Sequence, residues 1–320
     1  MSEHRGIVLR AQSGHYVVLD ETGTAACRAR RRLERPDSNW PEFPVPGDDV
    51  RWRLLAGAGH HREGVIEAVH PRRTEIARTR FGSKHVLLAN LERLVVVIAV
   101  REPALDRGLV DRLLAAAEHH GIEPLLCLHK LDLLSADELA ANIAPVQATY
   151  ERAGYRVLRT SVEDGAGIDT LREALRGHVC GFMGLSGAGK SRLIGLLQPG
   201  LKLHIGPVSE KTGQGRHTTT RVDLHRTDFG ALLADTPGIR DFGLWQLPPA
   251  ALGELFPEFR ALHGGCHYAG CTHIPEPDCG VKTAVDAGEI DRGRYRSYCA
   301  IFDELRAVAS ESRDREGRDR

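Results

Sequence analysis

The chain has 320 residues, of which 42% are hydrophobic and 27% charged, and its 43 basic and 43 acidic side chains give a formal net charge of zero. This length allows two or three domains with at least one substantial core. No stretch reaches about 18 uninterrupted apolar residues and the first ten residues carry charges, which argues against a transmembrane helix and a signal peptide, so we expect a cytoplasmic protein that contacts no membrane.

Residues 1–80 are predicted to form a small β-barrel domain. Apolar and polar positions alternate in RGIVLRAQSGHYVVLDETG around a turn at Ser13 and Gly14, and VPGDDVRWRLL and EGVIEAV add further strands. Short strands at this density fit an OB-like barrel, and an SH3-like barrel would give a similar pattern. The run CRARRRLER, residues 27–35, either forms a solvated loop or contacts the phosphate backbone of RNA.

Strands and helices alternate after residue 91. The continuous apolar run LERLVVVIAV is typical of a strand buried on both faces of a parallel sheet. Later segments continue the alternation as far as ALLAD, and Ser135 with Glu138 forms a capping box at the start of one predicted helix. These patterns predict a doubly wound α/β domain over 82–245, followed by a helical domain over 246–320.

The first chemical motif along the chain is K-x-D. Lys130 and Asp132 follow an apolar strand in LLCLHKLDLL, and such an aspartate can accept hydrogen bonds from guanine N1–H and its exocyclic amine while the lysine packs along the base. The segment SVEDGAGI after the next strand places Ser161 and Val162 where a backbone N–H could reach guanine O6. Together the two segments predict a guanine-reading site.

A phosphate-binding loop follows in GLSGAGKS, residues 184–191, between an apolar strand and a helix. Its backbone N–H groups would surround the β-phosphate, Lys190 would reach the β- and γ-phosphate oxygens, and Ser191 would ligate Mg²⁺. The predicted GTP-binding residues are His129, Lys130, Asp132, Ser161, Val162, Gly184, Leu185, Ser186, Gly187, Ala188, Gly189, Lys190, Ser191, Arg192, Asp235 and Gly238.

Two later segments resemble nucleotide switches. In LLADTPG, Asp235 ends a strand and could hold Mg²⁺ through water, and the Gly238 N–H could bind the γ-phosphate. In GQGRHTTTRVDL, Thr220, or Thr219 as the alternative, could complete the Mg²⁺ shell in the GTP state, although the threonines could also simply begin an edge strand. The motifs then occur in the order G4 and G5 (the two base-reading segments), G1 (the phosphate-binding loop), G2 (switch I, with the threonines) and G3 (switch II, with Asp235 and Gly238). A circular permutation of a P-loop GTPase would produce this order without changing the site.

Three of the seven cysteines lie close together in CHYAGCTHIPEPDC, at positions 266, 271 and 279. This clustering favours a metal site in a reducing compartment over a disulfide framework. Three thiolates and one imidazole satisfy tetrahedral Zn²⁺ without an open position, so we predict a structural zinc. By residue type, the fourth ligand could be His263, His267 or His273.

The predicted barrel, the permuted motifs and the cysteine cluster together resemble the RsgA (YjeQ) family of circularly permuted GTPases, over nearly the whole chain. The resemblance implies a ribosome-stimulated GTPase that acts late in maturation of the small (30S) ribosomal subunit, binds rRNA and GTP or GDP, and is released on hydrolysis. It selects His273 as the zinc ligand beside Cys266, Cys271 and Cys279. The family normally has Asn at the position of His129, so this chain departs from the family pattern in its guanine-reading motif.

Hydrolysis needs a group that orients water, and Ile239 after Gly238 cannot do so. His217, directly before the threonines, can accept a proton near neutral pH, and the resemblance points to the same residue, so we predict that it is catalytic unless it is merely an exposed loop histidine. An RNA-binding chaperone with a vestigial nucleotide site is the alternative, and Lys130 and Asp132 argue against an ATPase or kinase. We expect a monomer.

Overall fold

The structure, a computed structural model, describes residues 3–34, 43–55, 62–80, 83–201, 222–234, 244 and 247–318. Among these residues, none of the helices combines the length and apolar character needed to cross a bilayer.

The N-terminal strands form a closed five-stranded barrel in the order β1-β2-β3-β5-β4. The strands are β1 (Glu3–Gln12), β2 (His15–Asp20), β3 (Gly23–Glu34), β4 (Asp49–Leu54) and β5 (Glu63–Val69). Only the β3–β5 pairing is parallel, and β4 closes the barrel against β1. The alternating apolar positions point inward around the fully buried Trp52. This topology confirms the OB-like barrel that the alternation predicted.

A hairpin of β6 (Glu75–Arg80) and β7 (Ser83–Ala89) forms a separate two-stranded sheet after the barrel. Arg72 joins the hairpin to the barrel, because its guanidinium donates to both Asp48 oxygens at 2.6 and 2.8 Å and to Glu75 at 3.0 Å. The barrel also contacts the larger sheet, where Arg10 pairs with Asp223 at 3.5 Å.

The central sheet has six strands in the order β10-β9-β8-β11-β13-β12. They are β8 (Arg93–Ala99), β9 (Glu123–His129), β10 (Arg156–Thr160), β11 (Val179–Met183), β12 (Leu224–Arg226) and β13 (Leu232–Ala234), with β12 alone antiparallel. In β8, Leu94, Val96 and Ile98 enter the core on one face, and Val95, Val97 and Ala99 enter the core on the other. The apolar run therefore fills both sides of the sheet.

Helices cover both faces of this sheet. They are α1 (Arg107–His119), α2 (Ala136–Glu138), α3 (Ala144–Arg152), α4 (Ile168–Leu175) and α5 (Lys190–Leu197). The capping box of Ser135 and Glu138 is present, but the single helix predicted after it is interrupted by a π-helical turn, Leu139–Ile143. Pro145 follows that turn and has no N–H to continue the hydrogen-bond ladder, which explains the interruption.

The C-terminal region packs on α1. It contains α6 (Pro257–Arg260), α7 (Gly280–Asp286), α8 (Arg292–Arg318) and two short 3₁₀ segments, Pro249–Leu255 and His263–Gly265. Arg294 of α8 donates to Asp111 of α1 at 2.8 Å and to both Glu258 oxygens at 2.8 and 2.9 Å. Its side chain is 1% exposed, so this ion-pair network is part of the core.

Candidate functional site

The loop between β11 and α5 has a backbone that requires glycine. Gly184, Gly187 and Gly189 have φ values of 144°, 79° and 96°, a region in which other residues are strained. A Cβ atom at Gly184 would also lie 2.1 Å from the carbonyl oxygen of Val97. Helix α5 then begins at Lys190, so its N-terminal N–H groups face the concave side of the loop, where an anion binds favourably.

Lys190 lies inside this loop. Its Nζ donates to the carbonyl oxygens of Gly184 at 2.8 Å and Leu185 at 2.7 Å, and only 6% of the residue is exposed. Burial lowers the pKa of this ammonium from its ordinary value. A phosphate is the kind of group that would compensate the buried charge, and Ser191 is exposed at the adjacent position with a hydroxyl that can ligate Mg²⁺.

His129, the last residue of β9, contacts the phosphate-binding loop directly. A Cβ atom at Gly189 would lie 2.6 Å from Cδ2 and 2.8 Å from Nε2 of its ring. The opposite side of the ring forms a 2.9 Å hydrogen bond between Nδ1 and the hydroxyl of Thr160 at the end of β10. Burial lowers the pKa of His129, so the imidazole is neutral near pH 7.

The base-reading segments are joined by hydrogen bonds. Ser161 donates from Oγ to Asp132 Oδ1 at 2.8 Å, so the loops after β9 and β10 meet. Lys130 has a left-handed backbone, with φ 64°, and its Nζ donates to the carbonyl oxygen of Glu102 at 2.5 Å. The aliphatic part of Lys130 is therefore held in place beside Asp132.

These contacts bring the predicted base and phosphate motifs to one edge of the sheet, at the C-terminal ends of β9, β10 and β11. Such an edge is where open α/β sheets bind ligands. The residues that meet there are His129, Lys130, Asp132, Ser161, Val162, Gly184, Leu185, Ser186, Gly187, Ala188, Gly189, Lys190, Ser191 and Arg192. The other predicted residues, His217, Thr219, Thr220, Asp235 and Gly238, lie outside the described part of the chain.

Three further residues shape the site although they are not among the predicted site residues. Thr160 orients His129, Glu102 anchors Lys130, and Glu163 forms an ion pair with Arg192 at 2.6 Å. Thr160 and Glu163 lie directly beside Ser161 and Val162 in the chain, and this position is the sequence feature that could have identified them as site residues. Glu102 had none, because it precedes Lys130 by 28 residues.

The predicted metal ligands come together. The ligand atoms of Cys266, Cys271, His273 and Cys279 all lie within 4.8 Å of one another. Cys266 Sγ is 3.9 Å from Cys279 Sγ, and His273 Nδ1 lies 3.5 and 3.4 Å from these two sulfurs. Zn–S bonds of about 2.3 Å in a tetrahedron give sulfur–sulfur distances of roughly 3.8 Å, so the spacing fits zinc.

Backbone contacts hold the metal-ligand loop in shape. Glu276 accepts from the N–H groups of Thr272 and Ile274, and Tyr295 and Tyr298 donate to the carbonyl oxygens of His273 and Thr272. His267, a rival fourth ligand, is exposed and stacks edge-on against Tyr268 instead. The side chain of His263 lies outside the described part of the structure.

Comparison with known proteins gives consistent matches. The family model described as RsgA GTPase matches residues 69–245. A protein of Azotobacter vinelandii named small ribosomal subunit biogenesis GTPase RsgA is 42% identical over 308 residues, covering 95% of this chain and 86% of that protein. A Vibrio vulnificus protein, small ribosomal subunit biogenesis GTPase RsgA 1, is 40% identical over 305 residues, covering 94% of this chain and 84% of that protein.

Solved structures agree with these matches. YjeQ from Thermotoga maritima has a TM-score of 0.78 and 31% identity, covering 95% of this chain and 99% of that chain. YloQ, described as a circularly permuted GTPase, has a TM-score of 0.76 and 27% identity, covering 96% of each chain. The predicted α/β P-loop fold in permuted order is thereby confirmed.

Proposed function

The chain belongs to the RsgA GTPase family and is therefore a GTP hydrolase of small ribosomal subunit biogenesis, and we propose that it acts late in this process. In this proposal, binding to the small subunit stimulates GTP turnover, and hydrolysis releases the protein.

One observation carries the proposal that a single guanine nucleotide binds across both motifs. The ring of His129 lies against Gly189, and Asp132 is bonded to Ser161, so the base-reading loops lie directly beside the phosphate-binding loop. The carboxylate of Asp132 would take the base end of the nucleotide, and the ammonium of Lys190 would take the phosphate end.

We propose the following roles in hydrolysis. Lys190 neutralises charge on the β- and γ-phosphate oxygens, and Ser191, Asp235 and Thr220, with Thr219 as the alternative, hold Mg²⁺. The metal, when bound, polarises the phosphate oxygens. His217 orients the attacking water when the protein is bound to the small subunit, and the Gly238 N–H binds the γ-phosphate.

We also propose that the barrel binds rRNA. Arg28, Arg30 and Arg31 on β3 are exposed, and exposed arginines on an OB-like barrel are suited to contact the phosphates and bases of single-stranded RNA. One structural Zn²⁺ would be held by Cys266, Cys271, His273 and Cys279, since these three thiolates and one imidazole leave no open position and His273 and Cys279 are buried. It would fix the shape of the region that packs on α1.

The proposed arrangement is a cytoplasmic monomer with three domains. They are an RNA-binding barrel over 1–80, a permuted GTPase domain over 82–245 and a zinc-binding helical domain over 246–320.

GTP turnover of the metal-loaded protein, measured with and without purified small ribosomal subunits and repeated with ATP, tests the proposal. We expect strong stimulation by the subunits with GTP alone, and loss of turnover in Lys190→Ala. Absence of turnover together with tight rRNA binding would favour the chaperone alternative. Equal turnover of ATP would contradict the guanine site.

A further inference from the structure

Three side chains near the C-terminal ends of β9 and β10 form a continuous hydrogen-bonded chain. Cys127 Sγ lies 3.1 Å from the hydroxyl oxygen of Thr160, and the same oxygen lies 2.9 Å from Nδ1 of His129. Cys127 and Thr160 are 0% exposed and His129 is 2% exposed. Because water has little access, the directions of these bonds depend on the hydrogens that the three side chains carry.

The thiol of Cys127 sets the direction of this chain. Burial raises the pKa of Cys127 to about 12, so the thiol keeps its hydrogen near pH 7. Among the described residues, its hydrogen-bond partner is the Thr160 hydroxyl. When the thiol donates to this oxygen, the hydroxyl hydrogen can point to Nδ1 of His129 at 2.9 Å or to the Leu128 carbonyl at 3.5 Å. The imidazole nitrogen is the closer acceptor, so Thr160 donates to Nδ1.

The proton of the neutral imidazole then lies on Nε2. A neutral ring carries one N–H, and the nitrogen that accepts a hydrogen bond is the one without the proton. In the reverse arrangement Nδ1–H would donate to Thr160. The hydroxyl would then have to donate to a sulfur, which is a weak acceptor, or to the carbonyl at 3.5 Å. Thr160 therefore favours the tautomer that has a donor at Nε2.

This Nε2 atom lies where the base-reading and phosphate-binding segments meet. It is 2.8 Å from the position of a Cβ atom on Gly189, and His129 directly precedes Lys130 and Asp132 in the K-x-D segment. Within the described part of the chain, no group forms a hydrogen bond with Nε2. A buried N–H without a partner is costly, so this nitrogen is suited to an acceptor that a ligand supplies.

We propose that Thr160 is a positioning residue that holds the proton of His129 on Nε2, so that the ring donates a hydrogen bond to N7 of a bound guanine nucleotide. This inference rests on the proposed guanine nucleotide site. The acceptor follows from the chemistry of the base. Asp132 would accept from N1–H and the amine, and the Val162 N–H would donate to O6, which leaves N7 as the acceptor that still needs a donor.

The proposal gives a physical reason why this chain needs Thr160. An asparagine amide always carries N–H donors, whereas a neutral imidazole has a donor at Nε2 in only one of its two tautomers. With histidine at position 129, a neighbouring group must therefore select the tautomer. Thr160 does so from the side of the ring that faces away from Gly189.

The test uses the full-length, metal-loaded protein and two readouts. Long-range ¹H–¹⁵N spectra of protein labelled with ring-¹⁵N histidine report the tautomer, and the His129 signals are those missing from His129→Asn. Titration calorimetry gives the affinities for GDP and for 7-deaza-GDP, which has C–H in place of N7 and is otherwise the same. Wild type, Thr160→Val and Thr160→Ser are compared, with Thr149→Val as the control.

We expect wild type to carry the His129 proton on Nε2 and to bind GDP about fivefold more tightly than 7-deaza-GDP, the effect of one hydrogen bond. In Thr160→Val this preference should fall toward parity, because no hydroxyl then holds the proton or the ring. Thr160→Ser keeps a hydroxyl and should keep both the tautomer and the preference. Thr149→Val removes a buried hydroxyl from α3 and should keep the wild-type preference.

A proton on Nδ1 in wild type, or a full preference for GDP in Thr160→Val, would overturn the role of Thr160 while the nucleotide site stands. Equal affinities of wild type for the two nucleotides would overturn the contact with N7. Failure of wild type to bind either nucleotide would overturn the proposed guanine site as well. Both the tautomer and the preference are read from wild type, so the proposal can fail even if Thr160→Val does not fold.

Discussion

The imidazole of His129 occupies the space that a side chain at position 189 would need. A Cβ atom on Gly189 would lie 2.6 Å from Cδ2 of the ring, which is shorter than any real contact, and the backbone of Gly189 has a φ of 96°. The base-reading strand and the phosphate-binding loop are therefore packed against each other without a gap. The ring of His129 can occupy this position only because residue 189 has no side chain.

Substitution of Gly189 tests this contact. We expect Gly189→Ala to weaken GDP binding by about tenfold or more, because the positive φ alone costs about 1–2 kcal/mol and the clash with His129 displaces the loop. Gly195→Ala in the same helix is the control, since a Cβ there meets nothing within 4 Å, and it should bind GDP normally. Isothermal titration with GDP measures both, and equal affinities would contradict the packing argument.

The buried His129 predicts a pH dependence of stability. Burial lowers its pKa below the ordinary value of 6.5. As the pH falls, the unfolded chain therefore binds a proton at this imidazole before the folded chain does. The contribution of neutral His129 to the free energy of unfolding is fully present above pH 6.5, and it is lost as the pH falls from 6.5 toward the lower pKa of the folded state.

His129→Asn removes this proton linkage. Urea unfolding at several pH values between about 7.5 and 5.5 should show a shallower fall in the free energy of unfolding than in wild type. His15→Asn, at the exposed start of β2, is the matched control for replacing a histidine with asparagine at the surface. Parallel curves for wild type and His129→Asn would refute the linkage.

The cysteine cluster predicts bound metal. Cys279→Ser should remove the zinc and lower the melting temperature, because the other three ligands cannot complete a tetrahedron. Cys299→Ser is the control, since this thiol lies on α8 outside the cluster. Metal content by plasma mass spectrometry, followed by thermal unfolding, distinguishes the two variants. Full zinc content in Cys279→Ser would rule out the proposed ligand set.

The buried network around Arg294 predicts a large loss of stability. Arg294→Met leaves the buried carboxylate of Asp111 and the partly buried carboxylate of Glu258 without the guanidinium, which costs about 3–5 kcal/mol. Arg112→Met removes an exposed ion pair with Glu304 at the same α1–α8 contact and should cost roughly 0–1 kcal/mol. Chemical unfolding curves give the free energy of unfolding of both variants. Similar decreases in the two variants would show that the buried network contributes little to stability.

The proposed catalytic histidine predicts a selective defect. His217→Ala should reduce subunit-stimulated turnover about a hundredfold while GDP affinity stays at the wild-type level, because a water-orienting group acts only on the chemical step. Single-turnover GTP hydrolysis and GDP titration measure the two properties. Unchanged stimulated turnover would remove His217 from the mechanism.

The parts of the molecule that follow from short-range patterns were predictable from the sequence. Period-2 alternation identified the barrel, the apolar run of β8 identified a central strand, and fixed spacings identified the phosphate loop and the cysteine cluster. Sequence patterns did not predict elements of only a few residues or contacts between residues that are far apart in the chain. Strand β12 has three residues, and Arg294 lies 183 residues from Asp111.

The same limit applied to the nucleotide site. The sequence indicated which loops carry it, because each motif follows a strand. It did not indicate that His129 would fill the space beside Gly189 or that Glu102 would anchor Lys130, since both contacts depend on the order of strands in the sheet.

The link between Arg10 and Asp223 sets a length limit on the proposed switch. Asp223 is three residues beyond Thr220, and three residues span at most about 10 Å when fully extended. In the proposed cycle, a movement of Thr220 beyond this reach must displace Asp223 as well, so the ion pair with Arg10 links the proposed nucleotide switch to the proposed RNA-binding barrel.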